Sequence, residues 1–215
     1  GLQRVAIKDL PLFVLGGLFQ PFLYFIFETY TYQSIASPTI AEALLSTQPV
    51  LAPLFALVLL REHITRYNII GIVISTVGML MLLLIGSDNF AFGNPWGVLL
   101  AFLTVSMSVS YSIVLRKIPT RYSPLSIVFY VQSFSLLLFY PLWGALEGKQ
   151  LIDSDFVIDR SEQLLSSGAA VLYLAVFASV TAFILFCYTV RKIGVTRANV
   201  FNNIRPVFTA LLMWS

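Results

Sequence analysis

The sequence predicts an all-α integral membrane protein, and three observations support that fold class: the composition, the long apolar segments and the placement of the basic residues. The chain of 215 residues is 58% hydrophobic and only 11% charged, whereas a typical soluble domain carries roughly 25% charged residues. A water-soluble fold of this length could not bury so much apolar surface. Lipid is the alternative solvent, and about 20 apolar residues cross its hydrocarbon core as one helix.

Seven apolar segments are predicted to cross the membrane as helices. In chain order they are 10–33, 38–60, 67–86, 95–115, 123–144, 168–190 and 195–215. Prolines and glycines lie near several of the boundaries, where such residues commonly begin or end helices. They are Pro38, Gly86, Pro95, Pro119, Pro124 and Gly194. The connections are short except for the polar, acidic stretch 145–167, which is expected to form a short amphipathic or irregular cap.

The basic residues orient these segments. If the segments alternate in direction, ten of the 13 Lys and Arg residues fall on one side. The ten are Arg4, Lys8, Arg61, Arg66, Arg116, Lys117, Arg121, Arg191, Lys192 and Arg197. Because cytoplasmic loops carry the excess of Lys and Arg, residues 1–8 are predicted to be cytoplasmic and 145–167 to be outside. The expected location is the plasma membrane, with the bacterial inner membrane favoured.

A weak internal repeat links the second and seventh segments. Five residues recur 157 positions later: Thr39, Ala41, Pro49, Val50 and Leu54 reappear as Thr196, Ala198, Pro206, Val207 and Leu211. The two segments lie five crossings apart, so they traverse the membrane in opposite directions. Inverted repeats are typical of secondary transporters, whose two halves form gates around one central site.

Polar residues form a similar helix face in both copies of the repeat. Glu42, Ser46 and Pro49 are spaced i, i+4, i+7, which places them on one face. The corresponding residues are Asn199, Asn203 and Pro206, and Asn202 adjoins them. Each proline leaves a carbonyl without its helical partner. Two interpretations remain open: a cavity that binds substrate, or polar contacts between packed helices.

Three further residues complete the predicted cavity. The repeat offset pairs Tyr24 in the first segment with Thr181 in the sixth, and Gln132 in the fifth segment could face the same space. A single hydrogen bond between helices would explain Gln132 equally well.

Three ionisable residues lie within the segments, namely Glu28, Glu42 and Arg205. A charge in hydrocarbon costs about 2.5–3.5 kcal/mol, so such residues are functional candidates by default. Glu28 or Glu42 could couple transport to protons or bind a cationic group of the substrate. Alternatively, a structural carboxylate pairs with Arg205 or reaches the outer surface.

Other functional classes find little support. Neither metal-ligand spacing nor a Ser/His/Asp or Cys/His set is present, so no catalytic residue, cofactor or metal site is predicted. The net charge of +3 comes from short clusters between apolar segments and does not indicate nucleic-acid binding. The chain starts at Gly1 and stops at Ser215 inside an apolar segment, and we expect it to be part of a longer protein.

Four stretches resemble the EamA family of the drug/metabolite transporter superfamily. TIAEALLSTQPVLAPLFALVLLREHIT, from Thr39 to Thr65, resembles the family's fourth helix, with Pro49 at its centre and Glu62 closing it. IIGIVISTVGMLMLL resembles the fifth helix, and VTRANVFNNIRPVFTALL the corresponding helix of the second repeat. SYSIVLRKIPTRYSP is similar to the passage between the sixth and seventh helices.

The resemblance implies ten helices in two inverted five-helix repeats. Residues 1–90 would hold helices three to five of repeat 1, and 91–215 would hold helices six to nine of repeat 2. It also implies a transporter, more often an exporter, of amino acids, related metabolites or toxic compounds by alternating access. A seven-helix receptor and an intramembrane enzyme are the alternatives. The inverted repeat argues against the receptor, and the absence of a catalytic set argues against the enzyme.

Overall fold

The computed structural model describes residues 2–35, 37–61, 66–85, 94–151, 168, 170 and 172–200. The described residues form helices and connections, without a β-strand. Nine α-helices are numbered here in chain order: α1 (Leu10–Gly17), α2 (Tyr24–Ser34), α3 (Pro38–Leu45), α4 (Gln48–Leu60), α5 (Arg66–Ile85), α6 (Pro95–Lys117), α7 (Pro124–Leu151), α8 (Thr181–Ile193) and α9 (Val195–Val200). A short 3-10 turn (Ile7–Asp9) precedes α1, and a π-helical stretch (Leu174–Val180) precedes α8.

Five helical stretches in the described part are long and apolar enough to cross a membrane. They are Ile7–Ser34, Ile40–Leu60, Pro95–Lys117, Pro124–Leu146 and Leu174–Ile193. Large apolar side chains on their outer faces are exposed, for example Val58 at 75% and Leu136 at 68%. Such faces suit contact with lipid chains. These features confirm the predicted all-α membrane fold.

Helix α6 is the central helix of the described structure. Buried side chains occur on it from Gly97 to Leu115, because α1, α2, α3, α4, α8 and α9 all contact it. Its N-terminus is capped by Asn94, whose Oδ1 accepts a hydrogen bond of 3.0 Å from the Trp96 backbone N–H. The core of the described structure therefore forms around α6.

Several boundaries lie where proline and glycine predicted them. Pro38, Pro95 and Pro124 begin α3, α6 and α7, because proline needs no amide partner in the first turn of a helix. Gly194 separates α8 from α9 with φ of 92°, a conformation that a side chain would strain. Arg61 ends α4 in the left-handed conformation.

The first two predicted segments are broken helices rather than continuous ones. Between α1 and α2 lies a π-helical stretch, Leu18–Leu23, in which Gln20 is non-helical with φ −147° and ψ 124°. Between α3 and α4, the helix ends at Leu45 and restarts at Gln48 after a two-residue turn. In both breaks a glutamine precedes a proline. At the first, Gln20 is non-helical, as proline favours in the residue before it. At the second, Pro49 lies in the first turn of α4 and has no N–H to donate to a carbonyl of the preceding helix.

The fifth segment is longer than predicted. Helix α7 continues to Leu151, not to 144, so the first residues of the predicted 145–167 cap are helical. A helix satisfies its own backbone hydrogen bonds and does not need an apolar sequence to continue past the membrane edge. Residues 152–167 and the seventh segment beyond Val200 lie outside the described residues.

Candidate functional site

Five polar side chains form a hydrogen-bonded chain inside the helix bundle, called the polar chain below: Gln20, Ser108, Gln48, Asn199 and Ser112. The Ser108 hydroxyl donates to Gln20 Oε1 at 3.4 Å and accepts from Gln48 Nε2 at 2.9 Å. Gln48 Nε2 also donates to Asn199 Oδ1. Asn199 Nδ2 donates to Ser112 Oγ at 3.3 Å and to the Val195 carbonyl at 2.8 Å.

Burial makes these bonds necessary. Asn199 and Ser112 are 0% exposed, and Gln48 and Ser108 are at most 5% exposed. A buried polar group without a partner costs about 1–3 kcal/mol, more than the roughly 0.5–1.5 kcal/mol that its hydrogen bond contributes, so buried amides are almost always paired. Gln48, Asn199, Ser108 and Ser112 are therefore buried polar residues bonded to one another inside an apolar bundle.

The two helix breaks position the glutamines. Gln20 lies at the non-helical residue of the first segment, and Gln48 is the first residue of α4, directly after the second break. Both therefore approach α6 from places where the backbone leaves the helical path. Within a membrane, such backbone is tolerated where protein covers it or where it lines a cavity. Broken helices meeting near the centre of the bundle are typical of substrate and ion sites in transporters.

Glu42 and Ser46 of the predicted face lie just before the second break. Glu42 Oε1 accepts a hydrogen bond of 2.5 Å from the Tyr32 hydroxyl on α2. Its other oxygen, Oε2, is buried and has no hydrogen-bond partner among the described residues. The Ser46 hydroxyl donates to the Glu42 carbonyl at 2.7 Å, within its own helix. Pro49 is buried in the first turn of α4.

The remaining predicted residues are less closely grouped. Tyr24 is 6% exposed and donates to Glu28 Oε1 at 2.6 Å on the same helix. Gln132 is half-buried in α7, and Thr181 is exposed at the start of α8. Asn202, Asn203, Arg205 and Pro206 lie outside the described residues. Asn199, from the second predicted face, forms a hydrogen bond with α4 at Gln48. Gln48 is not a member of the first predicted face.

Sequence reasoning did not select Gln20, Gln48, Ser108 or Ser112. The signal for the first two was present, because a Gln-Pro dipeptide interrupts an apolar segment twice, at Gln20 and at Gln48. If residues 38–60 formed the one continuous helix that the spacing predicts, Gln48 would have no special position in it. Its role depends on the break that precedes it.

A second polar cluster joins residues 3–9 to the loop 118–123 at one end of the bundle, called the basic end below. Gln3 Nε2 donates to the Arg121 carbonyl at 2.9 Å, and the Ser123 backbone N–H donates to Gln3 Oε1 at 2.6 Å. The Tyr122 hydroxyl donates to Asp9 Oδ2 at 2.7 Å, and Arg121 forms an ion pair with the same oxygen. Hydrogen bonds with Tyr122 and Asp9 raise the pKa of the Arg121 guanidinium, so this group stays charged.

Comparison with known proteins identifies related sequences along the whole chain. The family model described as "EamA-like transporter family" matches residues 2–84 and 95–215. An uncharacterized transporter of Archaeoglobus fulgidus is 24% identical over 217 residues, which cover 97% of this chain and 70% of that protein. The uncharacterized transporter YetK of Bacillus subtilis is 26% identical over 215 residues, covering 99% of this chain and 62% of YetK.

A third relative, the uncharacterized transporter YyaM of Bacillus subtilis, is 22% identical over 219 residues, covering 100% of this chain and 67% of YyaM. Across these three relatives, the chain spans between 62% and 70% of their length.

Proposed function

The chain belongs to the EamA-like transporter family, and we propose that it forms part of a secondary transporter that exports small metabolites such as amino acids or related compounds. The transport proceeds by alternating access around the polar chain. Relatives that carry the name transporter in an archaeon and a bacterium support this class over a receptor or an intramembrane enzyme. The two matched stretches, 2–84 and 95–215, support a division into repeat 1 (1–90) and repeat 2 (91–215).

The contact between Gln48 and Asn199 is the observation that carries the proposal. Gln48 belongs to repeat 1 and Asn199 to repeat 2, and the two amides are bonded to each other in the buried centre of the bundle. An amide offers both a donor and an acceptor. A substrate with a carboxylate and an ammonium group can replace these contacts with its own when the repeats separate.

Glu42 supplies the charge that the amides lack. Its buried Oε2 needs a proton or a cationic group, because an isolated carboxylate oxygen is costly away from water. We assign it either proton coupling or contact with the substrate's ammonium group. Glu42 lies in α3, just before the helix break that precedes Gln48.

The orientation follows the basic residues. Residues 1–8 and the loop 118–123 face the cytoplasm, because cytoplasmic segments carry most of the Lys and Arg. The residues around 145–167 then lie on the outer side of the bacterial inner membrane. Hydrogen bonds between residue 3 and residues 121 to 126 support a common side for these two segments.

Flux in proteoliposomes tests the proposal. We expect full-length protein to move radiolabelled amino acids down or against a gradient, and Asn199→Ala to reduce the rate about tenfold. The reason is that the variant lacks one of the two amides proposed to bind the charged substrate, and a hydrogen bond to a charged group contributes about 1.5–3 kcal/mol. Gln48→Ala should have a similar effect, since it removes the other half of the same contact.

Ser133→Ala on α7 is the matched control, because that hydroxyl donates to the Phe129 carbonyl of its own helix at 2.8 Å. It should leave the flux unchanged. Equal flux in wild type and in folded Asn199→Ala and Gln48→Ala would contradict the site. Covalent change of the solute, or ligand-triggered signalling without flux, would contradict the transporter.

A further inference from the structure

The basic end contains an open surface pocket, called the cavity below, that is separate from the polar chain. Its volume is about 380 Å³, and it lies between the loop 118–123, the start of α7 and the end of α8. Three of its nine lining residues are cations, namely Arg121, Arg191 and Lys192, and none is a carboxylate. Asp9 neutralises Arg121 from outside this lining, which leaves Arg191 and Lys192 as the net positive charges.

The two remaining cations are held in place by the protein. Arg191 donates to the carbonyls of Tyr122 at 2.6 Å and Pro119 at 3.0 Å, which fixes the guanidinium against the loop. Lys192 Nζ donates to the Tyr188 hydroxyl at 3.1 Å and lies 5.4 Å from the centre of that ring. Helix α7 also begins at this cavity, and the N-terminus of a long helix adds positive potential.

Exposed apolar side chains continue from the cavity along both helices. On α7, Leu125 and Phe129 are spaced i, i+4 and are 49% and 48% exposed. On α8, Leu185 lies one turn before Tyr188 and is 60% exposed. These exposed rows, Leu125 and Phe129 on α7 and Leu185 on α8, are called the apolar ridges below. They suit contact with hydrocarbon chains, which a site for a free phosphate ion would not need.

We propose that this cavity binds the phosphate headgroup of an anionic phospholipid, with the acyl chains along the α7 and α8 ridges. The charge and the ridge both match a lipid with a negative headgroup. The proposal uses the orientation given above, since anionic lipids are abundant in the cytoplasmic leaflet and basic pockets between helices on that side recognise them. It does not depend on which metabolite is transported.

Titration of detergent-purified, full-length protein with short-chain lipids tests the site. We expect dioctanoyl phosphatidylglycerol to bind tighter than dioctanoyl phosphatidylcholine and to raise the thermal unfolding midpoint. Lys192→Gln should weaken phosphatidylglycerol binding about fivefold, the change expected for one cation near an anionic headgroup. The Lys192 side chain is exposed, so the variant is expected to fold, and its unfolding midpoint without lipid checks this.

Lys117→Gln is the matched control, because Lys117 is an exposed cation at the same end of the bundle that does not line the cavity. It should bind phosphatidylglycerol as the wild type does. Equal affinity for the two lipids, or an equal loss in Lys117→Gln, would overturn the proposal. Displacement of the lipid by inorganic phosphate at a similar concentration would also overturn the proposal, because the site would then bind a free anion without needing the acyl chains.

Discussion

Glu42 has two carboxylate oxygens in unequal surroundings. Oε1 accepts from the Tyr32 hydroxyl at 2.5 Å, whereas Oε2 is buried without a partner among the described residues. If Glu42 carries the coupling proton during transport, Glu42→Gln should remove the pH dependence of flux, because glutamine cannot bind or release a proton in its place. Flux of one amino acid across a pH series in proteoliposomes measures this.

Glu28→Gln tests the second candidate carboxylate, which accepts from the Tyr24 hydroxyl on its own helix at 2.6 Å. We expect it to keep the pH dependence of the wild type, and loss of that dependence in Glu28→Gln alone would assign the coupling to Glu28 instead. A pH profile that survives unchanged in Glu42→Gln would remove Glu42 from the coupling mechanism.

At the scale of the helices, Gly17 marks a close approach between α1 and α7. A Cβ atom at Gly17 would lie 2.7 Å from the Val131 carbonyl oxygen of α7 and 3.0 Å from the Ser135 nitrogen. Backbone atoms cannot move aside as a flexible side chain can. Gly17→Ala should therefore destabilise the protein by about 1–3 kcal/mol, as overpacking does, and lower the thermal unfolding midpoint in detergent.

Gly71→Ala on α5 is the matched substitution in open space, because no described atom lies within 4 Å of its Cβ position. Alanine favours a helix over glycine by up to about 1 kcal/mol, so its unfolding midpoint should be unchanged or higher. A Gly17→Ala protein as stable as Gly71→Ala would mean that α1 and α7 do not pack this closely.

The helix starts were predictable from sequence, but the breaks inside helices were not. Pro38, Pro95 and Pro124 begin helices because the first turn requires no amide from them, which is a local property. A proline inside a membrane segment is compatible with a continuous helix, a kink or a break, depending on what satisfies the freed groups. The side chains of Gln20 and Gln48 form hydrogen bonds with residues of α6 and α9, and those contacts are long-range. The sequence therefore selects Asn199 and Glu42 as candidates but not Gln48.

At the scale of the whole molecule, two polar regions at different depths join segments that belong to different proposed repeats. The polar chain joins α4 to α9 in the centre, and the cluster of Gln3, Asp9, Arg121 and Tyr122 joins the start of the chain to the loop 118–123. Alternating access requires one side to open while the other is closed. In the proposed mechanism these contacts hold the basic end closed, so breaking them should favour the conformation that is open on that side.

Asp9→Asn should produce that shift, and the single cysteine of the chain can report it. Cys187 is 0% exposed and lies one turn before Arg191, the residue that holds the loop. Asparagine keeps the size of the side chain at position 9 but removes the charge that pairs with Arg121. We expect N-ethylmaleimide to label Cys187 faster in Asp9→Asn than in wild type, measured on the Cys187 peptide by mass spectrometry. Lys8→Gln, a charge change at the exposed neighbouring residue, should label at the wild-type rate. If Asp9→Asn also labels at that rate, the Asp9–Arg121 ion pair does not hold the basic end closed.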